Sequence, residues 1–376
     1  MIALLRVTNR RNAALAAFVL LSAGCWTESP VYAAPIGHAE QPARQQPSRT
    51  ESPLPVFELH SGFWVNLHHF LYLQARLRKG DSASTDRGKG AAPPNEVPPS
   101  LIDFPAEEIR AWQAAVAFYA SDLAGRDLVL NGDMEIINNR LSEMEMCGDL
   151  EEKSSTVCRS GLQSDLVEIL DRAAPVYRAH WWAEQDRANR EWIAQVAPMV
   201  RQMGLELSGQ LAEVYQRPWP VARLRVDVVW YAGPYGAYTS LNPTHVTISS
   251  HDERNQGVYG FEVLFHESSH ALAGAVTEAI SREFRKRDKL IPRDLWHALL
   301  FYTTGELVRR DLIYGTLTSA SLQGTNPFKY QPYAARFGLY SGAWEAFRGL
   351  LDLYWRPYLD GKVSLDRAIA QLASAQ

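Results

Sequence analysis

His266-Glu267-Ser268-Ser269-His270 sets two imidazoles four residues apart with a carboxylate between them. On a helix, residues at i and i+4 lie one above the other, so both rings can reach a single ion. The pattern suits zinc, with Glu267 placed to act on a water beside the metal. The alternative is a buried pair of hydrogen-bonded histidines. Around this stretch, Gly260 to Arg285 reads as one continuous helix, with Leu264, Phe265, Leu272, Val276 and Ile280 for burial. His266, His270, Ala273 and Thr277 share another face, and Glu262 falls in the first turn, where a carboxylate favours the positive end. A helix-interior glycine costs ~1 kcal/mol relative to alanine. Gly274 is therefore expected to serve close packing.

A catalytic zinc takes three protein ligands and keeps one position for solvent. The metzincin arrangement would need glycine at 273 and histidine at 276, where the chain has Ala273 and Val276. Glu278 lies eight residues past His270 on the same helix, too far along its axis. Downstream, Asp294 to Tyr314 predicts a second helix whose apolar run, Leu299 to Val308, is interrupted by one carboxylate, Glu306. A carboxylate buried there needs a partner or a metal. Glu306 is therefore the expected third ligand, with Gly305 easing approach to the first helix. His297 precedes Glu306 by nine residues, about 180° round an unbroken helix. It is expected off the zinc face unless the helix breaks at Thr303 to Gly305.

Ahead of the zinc helix the period changes. Leu224, Val226, Val228 and Trp230 alternate with Arg225, Asp227 and Val229, the pattern of a strand with one buried face. Turns at Gly233-Pro234-Tyr235-Gly236 and Asn242-Pro243 separate further strands at Ala237 to Ser240 and Val246 to Ser250. The expected arrangement is a small antiparallel meander.

A strand pair, an H-E-x-x-H helix, a connector and a second helix bearing glutamate together resemble the gluzincin branch of zinc metallopeptidases, over roughly residues 220 to 315. The resemblance implies an α+β, mostly α-helical zincin-like fold. It also implies zinc-dependent hydrolysis of peptide bonds in a peptide or protein substrate. Glu267 would be the general base, taking the water's proton and passing it to the leaving amine. Gluzincins hold substrate backbone along an edge strand, and Gly236-Ala237-Tyr238-Thr239 resembles that element. For the oxyanion donor, Tyr302, Tyr314, Tyr333, Tyr340 and His297 all stay open. Many gluzincins carry an acidic residue four positions after the ligand glutamate. This chain has Arg310 there, with Asp311 one step on. Two alternatives remain: an exported zinc-binding structural or binding protein without turnover, and a zinc amidase acting on cell-wall peptides. The presence of Glu267 weighs against a purely structural zinc.

The 376 residues, 46% hydrophobic with net charge −4, allow a large folded core and give no electrostatic basis for nucleic acid or an acidic membrane surface. Residues 1–34 read as an export signal: Arg6, Arg10 and Arg11 precede the apolar run Ala13 to Leu21, with cleavage after Gly24 or Ala33. Leu21-Ser22-Ala23-Gly24-Cys25 is similar to a bacterial lipoprotein signal with Leu21 one place early. A lipidated Cys25 would add membrane attachment. The expected location is periplasmic, cell-surface or secreted. A Pro/Gln/Arg/Ser-rich tether spans 35–55, a helical N-terminal region 56–219, and the zincin-like catalytic region with C-terminal helices 220–376.

Within the N-terminal region, Leu59 to Leu77 and Pro105 to about Leu123 carry helical patterns, as do 133–146, 161–173, 175–203 and 205–216. Lys79 to Pro99 is a Gly/Ser/Pro-rich insertion expected to be mobile. Cys147 and Cys158, left over in an oxidising compartment, are expected to pair. Adjacent helical residues point ~100° apart, so His68-His69 reads as polar contacts of a buried helix with Asn66, and His60 and His180 as structural. His245 and His251 flank the last strand and could approach the cleft.

Overall fold

The computed structural model describes residues 56–80, 101–151, 157–315 and 326–376. The export signal, Cys25, the tether before Val56 and most of the Lys79–Pro99 insertion lie outside them. The described chain is α+β. Its sheet has four strands in the order β1-β2-β4-β3: β1 (Phe57–His60), β2 (Leu224–Val229), β3 (Ala237–Leu241) and β4 (Thr244–Ser249). β1 runs parallel to β2 with Phe57 opposite Leu224, and β2 parallel to β4 with Val226 opposite Val246. Only β3 is antiparallel, pairing Thr239 with Val246 on β4.

The sheet is therefore mixed, not the antiparallel meander expected. The turn after β2 carries the chain past β4's position to the outer edge, and the hairpin then returns β4 alongside β2. β1 also escaped the sequence reading, because Leu59 continues the helical pattern of the residues after it. The backbone instead enters the helix α1 (Phe63–Arg78) only after Gly62.

Strand alternation separates two cores. Leu224, Val226, Val228, Ala237, Val246 and Ile248 face one of them. Val229 and Tyr238 face the other, built from α1, α2 (Ala106–Asp122), α3 (Gly132–Glu143) and α4 (Ser164–Tyr177). In that second core Asn66, His68 and His69 are buried polar groups. His69 Nε2 lies 2.8 Å from Tyr238 Oη, and His68 Nδ1 lies 2.9 Å from Tyr119 Oη. Burial holds both rings neutral. Cys147 and Cys158 form a disulfide, with their Cα atoms 5.6 Å apart.

The helices expected at 161–173, 175–203 and 205–216 are one continuous run. α4 passes through Pro175 into a π-helical stretch, Arg178–Trp182, and on into α5 (Ala183–Val214). Proline removes a ladder hydrogen bond, and a π-bulge is one way a helix absorbs that loss without ending. No described helix is long and apolar enough to cross a membrane.

Under the first core lie α6 (Gly257–Ser269), α7 (Gly274–Lys286) and α8 (Leu295–Tyr314). The single helix expected from Gly260 to Arg285 is thus two. Ser268 and Ser269 turn their hydroxyls back onto the carbonyls of Leu264 and Phe265, each at 2.7 Å, and α6 stops there. Gly274 opens α7 and is exposed. A Cβ there would meet only an Arg217 nitrogen at 3.9 Å, so packing does not require this glycine. Glu262, one turn deeper in α6 than expected, is fully buried rather than set at the helix end.

Gly305 on α8 does what was expected of it. A Cβ at this position would sit 2.5 Å from Pro332 Cβ and 2.8 Å from Glu262 Oε1. Gly305→Ala should lower stability even though alanine is the better helix former by ~1 kcal/mol, because overpacking costs about 1–3 kcal/mol. Urea unfolding of the variant checks this, and an unchanged or higher midpoint would refute the close-approach account.

Candidate metal centre

α6 delivers His266 and Glu267 from its last turn, with His270 one turn beyond as the C-cap residue. Phe261, Leu264 and Phe265, all fully buried, fix the rotation of α6. Gly260 lets Trp192 of α5 come close, and the indole N–H donates to Asn255 O at 2.6 Å. α8 begins opposite, and its first turn carries His297.

The three imidazoles converge. Their ring centroids form a triangle with every side 5.1 Å. His266 Nε2 and His297 Nε2 are 3.2 Å apart, and one ring nitrogen from each residue falls within 4.8 Å of the other two. Zinc–nitrogen bonds of about 2.05 Å in a tetrahedron place ligand nitrogens about 3.3 Å apart, so this set needs only small side-chain adjustments to hold the ion. Burial, then the mutual proximity of the rings, lowers His266 well below the usual imidazole range. The same causes bring His270 down to about 3, and burial brings His297 down to about 4. All three are neutral, the form a metal ligand needs. His266 Nδ1 is buried without a hydrogen-bond partner among the described residues.

Glu267 Oε2 lies 3.8 Å from His270 Nε2. The Thr239 hydroxyl of β3 serves it, standing 2.8 Å from Oε2 and 2.7 Å from the Glu267 carbonyl oxygen, one proton for two acceptors. Burial pushes Glu267 up to about 7, with the Thr239 bond opposing.

Glu306 is not brought into this group. Its Oε2 accepts from Arg309 Nη2 at 2.8 Å and from Arg356 Nη1 at 3.0 Å. α8 is unbroken from Leu295 to Tyr314, so His297 and Glu306 do face opposite ways. It is His297, not Glu306, that the fold brings to His266 and His270. Arg310 and Asp311 also turn elsewhere, to Asp360 and Gln210. Glu278 is exposed and 3.8 Å from an Arg217 nitrogen.

Aromatic rings enclose the triad. Phe301 stacks on His266 with centroids 3.4 Å apart, and Trp296 on His297 at 5.1 Å. Trp344 meets His297 edge-on at 5.5 Å, and Tyr333 stacks on Phe301 at 5.7 Å. Among the tyrosines considered as donors, Tyr314 is exposed and Tyr302 Oη donates to Asp352 at 2.6 Å. The Tyr340 hydroxyl is buried without a partner among the described residues. Tyr333 is buried against Phe301, the ring that stacks on His266. Burial raises it above the usual range, Arg254 opposes, and Asp252, Glu262 and Glu267 add to the rise. His245 and His251 stay out of the triad: His245 is buried 2.8 Å from Asn138, and His251 stacks on Trp230. Two surface hollows, beside Asp171 and beside Trp112, are lined by none of these groups.

Behind the triad, Glu262 accepts from the Tyr330 hydroxyl and from Tyr333 N at 2.8 Å. Burial drives this carboxyl up to about 8, the two hydrogen bonds opposing and the nearby Glu306 charge adding a smaller push. A folded-state pKa raised above the unfolded value, about 4.3, stabilises below that value and loses the benefit as pH rises through the folded one. The Glu262 contribution to stability should therefore be present below about pH 4.3 and be lost by about pH 8. Glu262→Gln, which keeps an oxygen acceptor, should flatten the trend by a few kcal/mol. Urea unfolding at pH 5.5 and 8.5 decides, and parallel trends in the two proteins would refute the assignment. Compared with protein families, curated proteins and solved structures, the chain gives no match, so the site must be read from its own residues.

Proposed function

We propose that this protein is a zinc-dependent peptide hydrolase in which His266, His270 and His297 hold the metal and Glu267 is the general base. The observation that carries the reading is the convergent histidine triangle with a buried carboxylate beside it and a sheet edge in front. A structural zinc closes its shell with four protein ligands, whereas three histidines make up the group among the described residues. A zinc ion there supplies Lewis acidity toward a water molecule and a substrate carbonyl.

The chain's own residues do the rest. Glu267 Oε2 takes a proton from the attacking water as its oxygen bonds to the carbonyl carbon, and returns that proton to the amide nitrogen as the C–N bond breaks. Thr239 holds Glu267 in position from the edge strand. Tyr333, stacked on the Phe301 ring that covers His266, is the phenol assigned in this reading to donate to the oxyanion. Phe301, Trp296 and Trp344 line the site beside the rings and leave His270 and His297 partly open to solvent. The fold in this reading is zincin-like. The protein works after export, in a compartment where the Cys147–Cys158 disulfide persists.

The test is a mixed peptide library incubated with chelator-stripped and with zinc-reconstituted protein, read by mass spectrometry. New termini appearing only with zinc support the reading. Stoichiometric zinc with no cleavage would favour a zinc-binding protein without turnover.

A further inference from the structure

β3 is the outer strand of the sheet, and its Thr239 hydroxyl reaches Glu267, whose Oε2 lies 3.8 Å from His270 Nε2. Gly236 O accepts from Ser249 N at 2.8 Å, which fixes the alternation of the β3–β4 ladder. In an antiparallel pair every second residue exchanges hydrogen bonds with the neighbour and the residues between point outward. Ala237, Thr239 and Leu241 therefore direct their N–H and C=O groups away from β4. Among the described residues nothing bonds the outward groups of Ala237 and Thr239. Leu241 is different: its N–H and that of Asn242 both donate to Glu135 Oε1, each at 3.0 Å. Asn139, also on α3, donates to Asn242 O at 2.8 Å. α3 thus closes the edge at its far end.

A peptide laid along this edge would, on the hydrolase reading, have its scissile bond opposite Thr239, the residue that holds Glu267. Two residues on, about 7 Å at strand rise, it meets the partly exposed carboxylate of Glu135. Both backbone bonds end on Oε1, and among the described residues Oε2 has no hydrogen-bond partner. Among the described residues Glu135 has no ion-pair partner, and Arg140, further along α3, pairs with Glu143 at 3.0 Å. An uncompensated carboxylate repels a peptide's C-terminal carboxylate and accepts an ammonium group as a charge-assisted donor.

We infer that the protein releases short units from the free amino end of peptides, Glu135 receiving the terminal ammonium group and α3 ending the cleft. The inference rests on the peptide-hydrolase reading and adds exo-acting specificity to it. In each turnover one water adds across the amide, giving a carboxylate on the short N-terminal fragment and a new amine on the remainder.

The experiment compares matched peptide libraries with free and with acetylated N-termini, using zinc-reconstituted protein and mapping products by mass spectrometry. Expected are N-terminal fragments of one to three residues and a kcat/KM lower by about 10- to 100-fold on acetylated peptides, the range of a charged hydrogen bond. Glu135→Gln keeps an oxygen for both backbone N–H groups, so the hairpin stays formed. It should erase the difference between the free and acetylated libraries, bringing free peptides down to the acetylated level. Internal cuts at equal rates in both libraries, or a Glu135→Gln variant that keeps the preference, would overturn the inference. If neither library is cut, the hydrolase reading is what fails. Calorimetry of both libraries on zinc-loaded Glu267→Gln protein then decides the end preference, and equal affinities would overturn it.

Discussion

His297→Ala protein, purified and offered zinc, is expected to lose stoichiometric metal, while Glu306→Gln protein keeps one zinc per chain. Sequence reasoning gave the opposite order, so the pair of variants separates the two assignments. His297 supplies one corner of the 5.1 Å triangle, and its removal leaves two ligands from a single helix. Outer partners of a metal ligand change affinity by about 10–100-fold when lost, so loss of a ligand itself should exceed about 100-fold. Glu306 is neutralised by Arg309 and Arg356, and Glu306→Gln releases those guanidinium groups without touching a ring nitrogen. Its expected penalty is in stability. Metal analysis by mass spectrometry, with circular dichroism to establish that both variants fold, gives the answer. Zinc retained by His297→Ala and lost by Glu306→Gln would reverse the assignment made here.

Glu267→Gln should leave zinc content unchanged and reduce peptide hydrolysis by about 10²–10⁴-fold, the usual contribution of a positioned general base. The amide keeps the shape of the carboxylate and can still accept from Thr239, so the loss isolates proton transfer from packing. Thr239→Val probes the same carboxylate from the other side. It removes the hydroxyl that Glu267 shares and should lower kcat more than it raises KM. A Glu267→Gln variant with wild-type turnover would remove this residue from the chemistry.

What the sequence discloses here follows the range of each interaction. The pairing of His266 with His270 depends on one turn of helix, so spacing alone establishes it. The third histidine of the triangle depends on how α8 docks against α6, and docking is not written in a local pattern. Glu306 looked suitable because a carboxylate stood alone in an apolar run. Arg309, three residues on and so on the same face of α8, was a local signal that it already had a partner. His297 carried the opposite signal in its neighbour Trp296, an aromatic residue at the start of a helix facing the first two histidines. The sheet divides in the same way. Alternation disclosed β2, β3 and β4, whereas β1 and the parallel pairings bring Phe57 to Leu224 across most of the N-terminal helices. The break after α6 was hidden because its cause, two serines turning back on their own helix, leaves the hydrophobic period intact on both sides.

β3 carries two kinds of information on alternate residues. Tyr238 looks back into the helical core, where His69 grips its hydroxyl, while Thr239 looks forward and steadies Glu267. Because side chains on a strand alternate strictly, the grip on one residue sets the aim of the next. An insertion or deletion of one residue between Gly236 and Thr244 would exchange the two roles, driving a phenol toward Glu267 and a small hydroxyl into a space shaped for a ring. The length of this hairpin is therefore a gauge for the site, and the buried histidine on α1 keeps that gauge true although it stands on the far side of the sheet from the reacting groups.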